Sequence, residues 1–131
     1  MYKYNMSIEM LVNKFPQIKK IYDDDKEYYK DLPYVFYESV FTKYIVSIVN
    51  LKDNNMLLEI FNFIEDMLLN GDEEVNNLVD VAVIESLYYD ENFNDIYKVI
   101  INFCGELTKN SFNKCISWYK SPFRAFIGFA E

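Results

Sequence analysis

No histidine occurs anywhere in the 131 residues, so the commonest general base and metal ligand is missing. Carboxylate-bridged di-iron helices, which need a Glu-x-x-His pair, are excluded with it. Three glycines, at positions 71, 105 and 128, are too scattered to write a phosphate loop, a dinucleotide fingerprint or a nucleophile elbow. With only three prolines beside them, they disfavour a turn-dense all-β architecture and suit long helices. Cys104 and Cys115 form neither a CxxC pair nor a disulfide framework. On one continuous helix they would stand about 16 Å apart, too far to bond. Reduced, buried thiols in a cytoplasmic protein are the expectation. No run approaches the ~18 apolar residues of a membrane span. The opening MYKYNMSIEM lacks the basic and then apolar order of a secretory leader.

The largest absence is local. Between Lys52 and Lys98 there is no base at all, while Asp53, Glu59, Glu65, Asp66, Asp72, Glu73, Glu74, Asp80, Glu85, Asp90, Glu91 and Asp95 all fall there. This middle third is more negative than the whole chain, whose net charge is −8. An acidic balance argues against nucleic acid, which is bound by neutralising phosphates with Lys and Arg. It suits a basic partner, or solubility alone.

What is present fits one folded domain. The chain is long enough to bury a core, and 51% of its residues are apolar, which argues against disorder. Ile8, Leu11, Val12 and Phe15 make one helical stripe over Ser7–Phe15, with Ser7 as N-cap. Pro16 ends it or starts the next turn, and Ile18, Ile21 and Tyr22 continue into DDDKEYYKD, expected as a helix end and a surface loop. A third helix opens at Leu32-Pro33 and runs to Leu51, followed by turn and cap chemistry in Asp53-Asn54-Asn55.

Met56–Leu69 is the clearest amphipathic helix, with Leu57, Ile60, Phe61, Ile64, Met67 and Leu68 inward and Glu59, Asn62, Glu65 and Asp66 outward. Asn70-Gly71 closes it, glycine being expected in the left-handed position. Asp72 caps the next helix, and Glu73 and Glu74 sit in its first turn, where the helix dipole favours anions. VDVAVI within that segment reads as central helix on length and capping; its β-branched alternation leaves strand as the alternative. Asn92 or Asn94 caps a helix carrying Phe93, Ile96, Tyr97, Ile100, Ile101 and Cys104, and Leu107–Tyr119 follows after Gly105. The sum is an all-α domain spanning residues 1–131, with six or seven antiparallel helices that could stack as HEAT-like hairpins. Phe123, Phe126, Ile127 and Phe129 make 121–131 an apolar tail, expected to dock on the body or on a partner.

The segments KFP, LPYVFYESVFTKYIVSIV and LLEIFNFIEDMLLNGDEEVNNLVDVAVIESLYYD resemble a family of small acidic uncharacterised bacterial proteins over residues 8–105. The shared positions are chiefly core and caps, so the resemblance implies a helical fold and no catalytic motif. Proteins of this kind are similar in size and charge to immunity proteins of bacterial toxin systems. The phenylalanine-rich tail after Ser121 has no counterpart in the pattern.

Catalysis finds little support. DDDKEYYKDLPY has the aspartates of a calcium loop but lacks its turn glycine and terminal glutamate, so neither metal nor cofactor is expected. The acid pairs Glu65/Asp66 and Glu73/Glu74 could in principle serve acid–base chemistry, but capping and solvation explain them. The leading expectation is a cytoplasmic, non-enzymatic binding module. It would present Glu59, Glu65, Asp66, Glu73, Asp80 and the corner Tyr88, Tyr89, Asp90 and Glu91 to a basic protein, such as a toxin domain, with no nucleic-acid or membrane partner. Tyr28, Tyr29, Tyr34 and Tyr37 join Tyr88 and Tyr89 as candidate interface anchors. The alternative is a structural module that dimerises through its apolar tail and whose acidic region serves solubility only.

Overall fold

The structure, a computed structural model, describes residues 1–121 of the chain. They are helical throughout, apart from short connections and one isolated parallel bridge between Tyr2 and Gly71. After a 3-10 turn at Tyr4–Met6 come α1 (Ser7–Lys14), α2 (Pro16–Asp24) and α3 (Lys26–Tyr29). Proline sits at the start of α2, where its missing N–H costs nothing, and separates it from α1. Ser7 is buried as the first residue of α1; instead of capping, its hydroxyl donates back to the Tyr4 carbonyl at 2.7 Å. The short helix α3 replaces the surface loop expected from DDDKEYYKD, bringing the described helices to eight where six or seven were expected.

The next helix, α4, fills residues 33–51. It has an α turn at Pro33–Phe36, a π-helical stretch at Tyr37–Phe41 and an α stretch at Thr42–Leu51. It stops where Lys52 turns left-handed (φ 57°). The Asp53 carboxylate then accepts from Met56 N at 3.1 Å and opens α5, Asn54–Asn70. In the turn after α5, Gly71 has φ −80°, which is extended and not the left-handed conformation expected of it. Glycine is required for another reason: a side chain there would run into the Met67 carbonyl and Val75. Asp72 accepts from Val75 N at 2.9 Å and starts α6, residues 73–88. Val79–Glu85, the stretch containing VDVAVI, is helical but wound as π-helix, so it is neither strand nor ordinary α-helix. Phe93–Ile100 (α7) and Glu106–Lys120 (α8) complete the described chain. Phe123, Phe126, Ile127 and Phe129 lie outside the described residues.

One core runs through these helices. Phe36, Phe41, Ile45, Leu57, Ile60, Phe61 and Phe112 are fully buried, with α5 packed against α4 and α8. Phe15, Phe41 and Phe63 meet edge to face or tilted, with centroids 5.5–6.0 Å apart, the geometry that aromatic quadrupoles prefer. Tyr37 is also fully buried, and its hydroxyl donates to the Ser7 carbonyl at 2.6 Å. It is therefore a core residue and cannot anchor a partner. The two π stretches pack on each other, and the Thr42 hydroxyl lies 3.2 Å from the Tyr37 carbonyl and 3.1 Å from the Ala82 carbonyl. One side chain thus ties both irregular turns together.

The N-terminus is sewn into the α5–α6 turn. Tyr2 N donates to the Asn70 carbonyl at 2.8 Å, and Asp72 N donates to the Tyr2 carbonyl at 2.9 Å. The Tyr2 hydroxyl donates to Asp66 at 2.6 Å. The Tyr4 ring then lies tilted against Tyr34, centroids 5.9 Å apart.

Candidate functional site

The acids of the middle third divide by what their carboxylates do. Glu65 reaches across to the start of α8, where Leu107 N (3.0 Å), Thr108 N (2.9 Å) and the Thr108 hydroxyl (2.8 Å) all donate to it. Burial alone would raise its pKa. The three hydrogen bonds outweigh that and hold it below the ordinary glutamate value. Gly105, the residue before α8, offers no side-chain cap, and a Cβ on it would strike the Glu65 carboxylate. Glu65 is thus a cap borrowed from a helix about forty positions upstream. The orphan N–H groups of a helix that starts at glycine were the available signal for it.

Asp66 accepts from Tyr2 and from Asn70 Nδ2 at 2.5 Å. Asp90 accepts from Asn92 N at 2.8 Å in the turn before α7. Glu85 accepts from the Tyr119 hydroxyl at 3.0 Å, which in turn receives the Tyr89 hydroxyl at 2.5 Å. Tyr88 stacks on Tyr119 (5.1 Å, 17°) and meets Phe93 edge-on at 5.1 Å. The Tyr88–Glu91 corner is therefore an aromatic clasp between α6 and α8, in which Tyr89 keeps an exposed face and Glu91 projects into solvent.

Asp95 is exposed at the start of α7, and Glu59, Asp66, Glu73, Glu74 and Asp80 line two hollows. A groove of about 670 Å³ between α1 and α5 holds Glu59 and Asp66, together with Tyr2, Asn13, Asn62 and Lys14. A second hollow of about 540 Å³ is lined by Tyr34, Glu73, Glu74, Asn76, Asn77 and Asp80, without any base. Beneath it the Asn76 carboxamide oxygen is buried with no hydrogen-bond partner among the described residues, and Asn77 Nδ2 donates to the Tyr34 hydroxyl at 2.6 Å. Asp80 also borders a smaller cleft of about 210 Å³ toward α8. The Asp80 side chain stays exposed, yet the crowded protein around its carboxyl raises its pKa, against Ser111 and the Lys114 charge, which lower it. Residues 2–4 run between the two hollows, Tyr2 in the first and Tyr4 facing Tyr34 and Glu74 at the second.

Ion pairs among the described residues are Lys19–Asp23 (2.6 Å) and Lys30–Glu27 (3.1 Å), both in the first third; none takes a carboxylate from 53–95. No three metal-ligating side chains converge, and no helix is long and apolar enough to cross a membrane, both among the described residues.

A family model described as a domain of unknown function, DUF7674, matches residues 8–120. The chain belongs to the DUF7674 family. No curated protein and no solved structure matches it. The DUF7674 match runs from the second residue of α1 through the end of α8, so it takes in the Glu65 cap, the aromatic clasp and both hollows, Tyr2 and Tyr4 excepted.

Proposed function

We propose that this DUF7674 protein is a non-catalytic binding module whose acidic surface receives a basic protein. The observation that carries the reading is the hollow on α6. Glu73, Glu74 and Asp80 face it, and no lysine or arginine lines it. Lysine and arginine are donors with no acceptor, and they complement such a surface in charge and in hydrogen bonding. Glu91 and the ring of Tyr89 are exposed at the far end of α6 and add a further acid and an aromatic group.

A toxin domain with a basic active face is the partner class we favour, reached by fast association that weakens as salt rises. The helices around α5 and α6 would then act as a rigid HEAT-like stack of antiparallel hairpins. The free, buried Cys104 and Cys115 fit a cytoplasmic location.

The test immobilises the full chain and its Glu73→Lys/Glu74→Lys/Asp80→Lys variant and exposes both to lysate of the native host at low and at several-fold higher ionic strength. A basic protein retained by the wild type at low salt, and lost both in the variant and at high salt, is the expected result. Equal retention by both forms, or retention indifferent to salt, would refute the reading.

A further inference from the structure

The groove between α1 and α5 differs from the α6 hollow in carrying both signs of charge. Lys14 shares it with Glu59 and Asp66, yet forms an ion pair with neither. Asn13 on α1 and Asn62 on α5 are exposed at its walls, and no hydrogen bond among the described residues engages either carboxamide. Met10 and Phe63 contribute the apolar part of the lining. Each carboxamide offers a donor and an acceptor, the pair that a main-chain peptide unit also presents. The aliphatic stem of a lysine or arginine can lie along methionine and phenylalanine while its charge reaches carboxylates. A cation left unpaired in the same groove asks for an anion close to that base.

From this arrangement we infer that the groove binds an extended peptide segment carrying a lysine or arginine next to a carboxylate. The base meets Glu59 and Asp66, the carboxylate meets Lys14, and the main chain between them pairs with Asn13 and Asn62. The volume of about 670 Å³ lies within the range of sites that hold a ligand of a few residues. The inference deepens the proposed function, since it names the kind of segment that a partner inserts. It concerns a different hollow from the one on α6, so the two can fail separately.

The experiment uses the isotope-labelled full chain and follows its amide resonances during titration with four peptides. Ac-Gly-Lys-Gly-Glu-Gly-amide carries both charges, and Ac-Gly-Gly-Lys with a free C-terminus supplies the carboxylate from the chain end. Ac-Gly-Lys-Gly-Lys-Gly-amide and Ac-Gly-Glu-Gly-Glu-Gly-amide carry one sign only. At least one of the first two is expected to give saturable shifts at residues 10–14 and 59–66, and which one does identifies the source of the carboxylate. The dilysine peptide should bind about fivefold more weakly, the upper effect of one exposed charge pair. Lys14→Met should erase that preference, and Glu59→Gln should weaken the mixed peptide while leaving the fold's dispersed spectrum intact. Dilysine binding as tight as the mixed peptide, or no saturable shift up to about 10 mM of any peptide, overturns the assignment. If a captured host protein is lost in the α6 variant but unaffected by Lys14→Met and Glu59→Gln, the proposed function survives and the groove assignment fails.

Discussion

At the scale of single residues, Glu65 and Gly105 form a matched pair. Glu65→Gln removes the charge from three hydrogen bonds to the start of α8 and is expected to destabilise the domain by about 2 kcal/mol in chemical denaturation. Because its folded pKa is lowered, the contribution is complete above the ordinary value of 4.5 and fades as pH falls through the lower folded value. The gap between wild type and variant should therefore close at acid pH; a gap independent of pH would contradict the role. Gly105→Ala should cost a comparable amount in the wild type and much less in a Glu65→Ala background, since the clash needs both partners. Asp80 carries the opposite sign. Its raised pKa means that the charged form is disfavoured by folding, a penalty present at neutral pH that vanishes in acid. Asp80→Asn should raise the melting temperature at pH 7 while weakening capture of a basic partner. A loss of stability instead would point to a structural carboxylate.

At the scale of elements, local signals were legible and distant ones were not. The caps Asp53 and Asp72 could be read because donor and acceptor lie three residues apart, and the stripe of α5 because period alone places it. The same period put Phe63 on no face, although it is buried against Phe15 and Phe41, since the aromatic cluster is assembled by α1 and α4. Glu65 looked like an outward acid because its partners lie on another helix. The π-helical winding of α4 and α6 was invisible for the same reason. Each stretch is stabilised by the other, and the Thr42 hydroxyl joins them. Thr42→Val keeps the shape and removes that link, so it should cost about 1–2 kcal/mol, while Thr42→Ser should recover most of it. Equal stability of the valine form would show that packing alone holds the π stretches.

For the whole molecule, the deciding quantity is unbalanced charge. The carboxylates of 53–95 have no ion-pair partner among the described residues, so their mutual repulsion opposes folding. Sodium chloride at about 0.5 M screens that repulsion over a few ångströms and should raise the melting temperature above its low-salt value. Added salt would therefore stabilise the fold while weakening its capture of a basic protein. A melting temperature that fell with salt would mean that attractive pairs dominate after all. The charge excess itself was legible in the composition, and its division between two hollows was not. That division depends on the N-terminal residues crossing the α5–α6 turn, a contact between positions about seventy apart.

That crossing also orders events in time. During synthesis Tyr2 emerges well before its partners and waits, unpaired, until Asn70 and Asp72 have left the ribosome. Closing so long a loop is an entropic cost better met after α5 and α6 have formed, so the stitch belongs to the downhill side of the folding barrier. Replacing Tyr2 with alanine should then quicken unfolding and leave the refolding rate nearly unchanged, which makes this stitch a latch on the lifetime of the native state.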